Sequence, residues 1–60
     1  MSLELALDFE TIINHDVDID LAMFRWPELC HWDEAGQRLW ILRGSRLHIW
    51  LALKYTGLFN

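Results

Sequence analysis

The chain contains few of the residues that break or cross-link small folds: one cysteine, one proline and three glycines in 60 residues. Because a lone cysteine cannot form a disulfide within the chain, the disulfide framework of small secreted domains is excluded, and we expect a cytoplasmic protein. So few glycines and prolines indicate no linker, and we predict a single domain over residues 1–60.

A long apolar run and a basic leader are also missing. The longest unbroken apolar segment is Ile49 to Leu53, whereas a helix needs roughly 20 apolar residues to cross a membrane. The first residues reach the acid Glu4 without the basic region that opens a signal peptide. We therefore expect no membrane partner.

Apolar residues, by contrast, are abundant. A domain of this length buries only about 60% of the surface that its unfolded chain exposes, so its stability is marginal unless the core is dense or a partner adds contacts. The chain is 53% hydrophobic and has four tryptophans, which is too apolar for a disordered segment. Four indole rings are many for so small a core, so we expect one or two at the surface or in a homodimer contact; the alternative is that they are packing residues that stabilise the core.

Charge is divided unevenly along the chain. Residues 1–35 hold all nine acids and one base, which gives −8, and residues 36–60 hold four bases and no acid, which gives +4. One interpretation is that the two halves neutralise each other across adjacent elements. The other is a bipolar surface that steers a charged partner.

Alternation of apolar and polar residues predicts a hairpin near the N-terminus. Residues 3–10 alternate as a half-buried strand does, although a helix capped by Ser2 is the competing interpretation. Residues 16–21 alternate aspartate with valine, isoleucine and leucine, which disfavours a helix interior. Residues 14–16 have turn chemistry. We expect two antiparallel strands with one acidic and one apolar face.

A second hairpin is predicted around Gly36. Asp33 and Gly36 fit a type I turn with a bulge, in which Gly36 takes a positive φ and residues 39–42 form the second strand. Residues 46–56 are then either a helix, capped by Ser45 and ended by Gly57, or a further strand.

The matched helix caps decide the predicted fold class. We predict an α+β domain of antiparallel β-hairpins packed on a C-terminal α-helix, and the alternative is an all-β five-stranded antiparallel meander.

The candidates for site chemistry do not form a recognisable constellation. Cys30 and His31 are sequence neighbours, which point to opposite faces of a strand, so they cannot share a zinc ion there. A catalytic cysteine–histidine pair would also need a substrate pocket of roughly 300 Å³, and so small a domain has little volume for one beside its core. We expect no enzyme, no cofactor and no metal.

The aspartates at positions 16, 18 and 20 resemble the start of a calcium loop but do not continue as one. The sixth position of such a loop needs glycine and the twelfth needs glutamate, and these places hold Leu21 and Pro27. We interpret the three aspartates as an acidic face.

These exclusions favour a non-enzymatic protein-binding module. An acidic face would meet a basic surface on a larger protein, and exposed tryptophans would anchor the contact. The predicted partner-binding residues are Asp16, Asp18, Asp20, Trp26, Trp32 and Trp40. One concrete form is a small acidic inhibitor or modulator of a nucleic-acid-handling protein, a role found among virus-encoded antagonists of host defence.

Two alternatives stay open. The chain could be a self-associating structural subunit of a larger assembly, which exposed strand edges or tryptophans would join. It could also bind single-stranded nucleic acid through arginine and tryptophan in its C-terminal half, although nine acids against five bases make direct nucleic-acid binding the weaker expectation.

Overall fold

The computed structural model describes residues 3–59. The elements are β1 (Glu4–Asp8), α1 (Phe9–Asn14), α2 (Ile19–Arg25), β2 (Cys30–Asp33), β3 (Arg38–Leu42) and α3 (Arg46–Lys54). The three strands form one antiparallel sheet in the order β1-β3-β2. The predicted α+β class is therefore confirmed, and the C-terminal element is the helix rather than the strand of the all-β alternative.

The central strand β3 contributes fully buried side chains to the middle of the core. Register places Leu5 opposite Ile41 and Leu7 opposite Leu39 on the β1 side, and Cys30 opposite Ile41 on the β2 side. Directly paired residues share a face of the sheet, so these side chains all point inward. Leu39 and Ile41 are fully buried there.

The predicted N-terminal hairpin does not form. Its first strand exists as β1, but the second, at 16–21, is replaced by a turn and the start of α2. The aspartates explain the difference, because Asp8 and Asp18 each cap a helix. Their carboxylates accept hydrogen bonds from the N–H groups of Thr11 at 2.8 Å and Leu21 at 2.9 Å. One polar position in each alternating segment is thus a helix cap. Ser2, the cap of the competing helix, lies outside the described residues.

The predicted β2–β3 hairpin is present, but the left-handed residue of its turn is not Gly36. Asp33 pairs with Arg38, and Gln37 takes the positive φ, at 53°. Gly36 is instead required for space. A Cβ at that position would lie 2.5 Å from an Asp33 carboxylate oxygen, while the other oxygen of that group accepts the Gly36 N–H at 3.2 Å.

The C-terminal helix α3 begins where the capping pattern predicts. The Ser45 hydroxyl accepts the His48 N–H at 3.1 Å. The helix ends at Lys54, two positions earlier than predicted, and Gly57 takes a positive φ of 85° beyond it. Leu47 and Leu51 are fully buried against the sheet. Among residues 3–59, no helix combines the length and apolarity that crossing a membrane requires.

Gly44 offers a test of backbone strain alone. Its φ is 78°, and nothing lies within 4 Å of the place a Cβ would occupy. Gly44→Ala should therefore lower the free energy of unfolding by about 1 kcal/mol, since an L-residue is strained in the left-handed region. Gly44→Asn should lose less, because asparagine tolerates that region. Urea denaturation measures both, and equal stability of all three proteins would contradict the assigned conformation.

Asp8 makes the stability of the fold depend on pH in the acidic range. Its hydrogen bonds with the Thr11 N–H and hydroxyl hold its pKa below the ordinary value of 3.8. The cap's contribution is therefore present above pH 3.8 and is lost as pH falls through the lower pKa of the folded state.

Asp8→Asn keeps a capping side chain but removes this titration. Its stability should fall less than that of the unchanged protein when urea midpoints are compared from about pH 6 to about pH 2. Parallel pH profiles for the two proteins would show that the Asp8 carboxylate does not matter.

Candidate partner-binding site

Four of the predicted partner-binding residues line one depression in the surface. The depression has a volume of about 520 Å³, and its lining consists of Asp16, Val17, Asp18, Ile19, Asp20 and Trp32. We call this surface the acidic groove. It joins the loop between α1 and α2, the first turn of α2, and the edge strand β2, so three parts of the chain build it.

The loop that carries Asp16 is held by backbone hydrogen bonds to the end of α1. The N–H groups of Asp16 and Val17 donate to the carbonyls of Ile13 and Ile12 at 3.1 and 3.0 Å. Asp16 adopts a left-handed conformation with φ 54°, which aspartate tolerates better than most residues. Val17 is buried beneath the loop. The Asp16 carboxylate is therefore presented from an anchored turn.

Asp18 is fixed from two sides. Its carboxylate caps α2 through the Leu21 N–H, and its own N–H donates to the Tyr55 hydroxyl at 2.9 Å. Tyr55 follows α3 and is buried, so this hydrogen bond joins the floor of the groove to the C-terminal end of the chain. Asp20 lies in the first turn of α2, where a negative charge is favoured by the helix dipole.

The three carboxylates of the groove are accessible from solvent. Asp16, Asp18 and Asp20 are all exposed, and among residues 3–59 no basic side chain pairs with any of them. The interpretation that the two halves of the chain neutralise each other therefore does not apply to this groove. Its electrostatic potential acts on whatever approaches from solvent.

Trp32 supplies the aromatic wall. It is half-buried, lies opposite Leu39 in the sheet register, and donates its ring N–H to the Glu34 carboxylate at 3.0 Å. Because Glu34 satisfies the indole N–H, the ring needs no further polar partner. An aromatic ring beside carboxylates is the environment that binds guanidinium and ammonium groups.

The other two predicted tryptophans lie elsewhere. Trp26 is buried, 5.0 Å from Trp50 between ring centroids, and the Arg25 guanidinium covers it at 4.8 Å. Trp40 is half-buried on the outer face of the sheet, stacked on His31 with centroids 6.4 Å apart. The structure thus separates both from the groove, and a role for them in partner binding stays a prediction.

Sequence analysis did not find the contribution of Tyr55. It is separated from Asp18 by 37 positions, and no local pattern marks a tyrosine as an acceptor for so distant an amide. Val17 and Ile19 were also missed as groove residues, because the strand interpretation placed them on an apolar face away from the aspartates.

Cys30 is the one cysteine of the chain, and its side chain is buried. Burial raises the pKa of the Cys30 thiol, with a further contribution from the nearby Glu28 carboxylate. Its Sγ lies 3.4 Å from the Trp26 carbonyl oxygen. The thiol is therefore protonated and enclosed, unlike the accessible thiolate of a nucleophilic cysteine. Over residues 3–59, no three His, Cys, Asp or Glu side chains are placed to share a metal ion.

Comparison with known proteins adds no family to this description. No protein-family model, curated protein or solved structure matches the chain. A fold class alone does not identify a function, which depends on the geometry and chemistry of a site. The acidic groove is therefore interpreted from its own residues.

Tyr55→Phe tests how firmly the groove is held. The change leaves the ring that packs edge-on against Trp50 but removes the acceptor for the part-buried Asp18 N–H. We expect a loss of about 1 kcal/mol in the free energy of unfolding and faster hydrogen exchange at the Asp18 amide.

Thr56→Val is the matched control, since it removes an exposed hydroxyl at the next position. Exchange at Asp18 should not change in that variant. An unchanged Asp18 amide in Tyr55→Phe would show that the hydrogen bond does not restrain the groove.

Proposed function

We propose that this chain is a non-enzymatic protein-binding module whose acidic groove receives a basic segment of a larger protein. The observation that carries the proposal is the convergence of Asp16, Asp18, Asp20 and Trp32 on one depression. Three exposed carboxylates attract a cationic side chain, and the indole ring gives it a surface to pack on. Arginine suits such a groove better than lysine, because its planar guanidinium stacks on aromatic rings and pairs with carboxylates in the same plane.

The strength of such binding comes from several weak contacts. An exposed ion pair contributes about 0.2–1 kcal/mol, and a cation over an exposed aromatic ring contributes about 0.5–1 kcal/mol. No single pair therefore suffices, and the partner must present two or more basic residues in a short span. The same charges accelerate association at low ionic strength, so the affinity falls as salt is added.

A basic segment of this kind is common on surfaces that bind nucleic-acid phosphates. The proposal therefore includes a small acidic inhibitor or modulator that covers such a surface on its target. A single enclosed, reduced cysteine supports action in a reducing compartment such as the cytoplasm.

Sheet register weighs against direct nucleic-acid binding on the outer face of the sheet. That alternative uses arginine and tryptophan of the C-terminal half, and Trp40 is the tryptophan of this half that lies on the outer face. Arg38 lies in register between Asp8 on β1 and Asp33 on β2, so two carboxylates flank its charge. A base stacking on Trp40 would bring its phosphates towards these acids, which repel them.

Neutralising two groove charges tests the proposal. Asp16→Asn/Asp20→Asn removes two charges and spares the Asp18 cap, and asparagine tolerates the left-handed conformation at position 16. A synthetic peptide rich in arginine and lysine is the probe, titrated by calorimetry at low salt. We expect about tenfold weaker binding, which corresponds to two exposed ion pairs of up to about 0.7 kcal/mol each.

Glu10→Gln/Glu28→Gln is the matched control, because it changes the net charge equally and both residues are exposed. Glu10, like Asp20, lies in the first turn of a helix. The control should bind the peptide nearly as the unchanged protein does. Equal weakening in both variants would mean that net charge, and not the groove, attracts the peptide.

A further inference from the structure

The outward side of α3 is an apolar surface with basic ends. Ile49 and Leu53 lie one helical turn apart and are 56% and 77% exposed. Ala52, also exposed, lies beside them, while Leu47 and Leu51 on the opposite side of the helix fill the core. A helix that is apolar on its solvent side as well as its core side is typical of one that is covered by another surface.

The two charged residues of α3 are both basic, and Arg46 lies on the outward side. Arg46 is exposed at the first turn of α3, and Lys54 lies at its last residue with its Nζ 4.5 Å from the Trp50 ring centre. Residues 36–60 contain no acid. The complement of this surface therefore has an apolar centre with acidic groups around it.

The chain carries such a complement itself. The acidic groove combines the half-buried Ile19 and Trp32 with three exposed carboxylates. We infer that the outward side of α3 in one copy docks into the acidic groove of a second copy, an inference that rests on the proposed role of the groove as a binding site. Ile49 and Leu53 would meet the apolar lining, and Arg46 would meet the aspartates.

Charge favours this contact over a symmetric one. Pairing the outward sides of α3 in two copies would bring two Arg46 side chains and no acid of α3 to one interface, and like charges repel. The α3–groove contact instead joins opposite charges. Because it uses a different surface on each copy, every added copy leaves one groove and one helix unpaired, so the contact extends head to tail or closes into a ring.

The inference assigns a regulatory consequence to self-association. A groove occupied by α3 of another copy is not available to the basic segment of an external partner. The external partner would therefore bind best at low concentrations of the module. Salt would weaken both contacts, since both depend on the same exposed carboxylates.

Complementary variants test the inference. Leu53→Glu removes the helix contact and keeps the groove, whereas Asp16→Asn/Asp20→Asn weakens the groove and keeps the helix. Masses in solution are measured by sedimentation at low salt from about 10 µM to about 1 mM, a range that covers weak association. The unchanged protein should grow beyond a dimer with concentration and return towards a monomer when salt is added.

Each variant alone should associate at least tenfold more weakly than the unchanged protein. An equimolar mixture of the two should form a one-to-one dimer and nothing larger, because it contains one intact helix and one intact groove per pair. Leu3→Glu is the matched control, since Leu3 is 75% exposed, close to the 77% of Leu53, and belongs neither to the acidic groove nor to α3. It should associate as the unchanged protein does.

Three results would overturn the inference. One is a monomer at every concentration. Another is a dimer that survives Asp16→Asn/Asp20→Asn and is lost in Leu53→Glu, which would indicate symmetric α3 pairing. The third is a mixture that stays monomeric.

Titrating dilute Leu53→Glu with the arginine- and lysine-rich peptide separates this inference from the proposed function. Peptide binding without self-association overturns the inference alone. No peptide binding by this groove-intact variant overturns the proposed function and, with it, the inference.

Discussion

The burial of Leu39 and Ile41 on the inner face of β3 is the constraint around which the other elements are arranged. Both edge strands take their register from β3, and α3 packs against it through Leu47 and Leu51. A domain of this length has one hydrophobic core, so its stability depends on that core alone. The strand that pairs on both sides therefore determines where every surface residue is displayed.

Placing all the helices on one side of the sheet has a consequence for function. The side chains of the acidic groove lie where the first turn of α2 meets the edge strand β2, and one of them, Asp18, is also a helix cap. Asp18 illustrates this double use, since it begins α2, receives support from Tyr55 and contributes charge to the groove. The Asp18 carboxylate therefore serves both stability and the charge of the groove, whereas among residues 3–59 the Asp16 and Asp20 carboxylates cap no helix.

The opposite charges of the two halves of the chain are arranged differently at two places on the surface. Among residues 3–59, no basic side chain pairs with Asp16, Asp18 or Asp20, whereas Arg38 lies in register with two acids. Neutralisation and a bipolar surface therefore coexist, at different places on one small domain. Net charge therefore does not describe the acidic groove, which depends on where the carboxylates are placed.

Residues close in sequence were predicted where a local rule governs them. Ser45 as a cap, the α3 helix, the β2–β3 hairpin and β1 all follow from capping or from alternation over a few residues. The same local rules failed at residues 16–21, because alternating aspartates satisfy both a strand face and a helix cap. At Gly36, glycine was predicted for its positive φ but is required for space beside Asp33.

The sequence by itself determined the α+β class, the absence of an internal disulfide, the uneven charge and the set of residues from which a binding surface could be built. Only the tertiary structure decided that β1 pairs with β3, that Trp32 joins the three aspartates while Trp26 and Trp40 do not, and that Tyr55 supports Asp18 across 37 positions. The physical reason is that caps and turns depend on neighbours along the chain. The shape of a groove instead depends on which distant surfaces the core brings together.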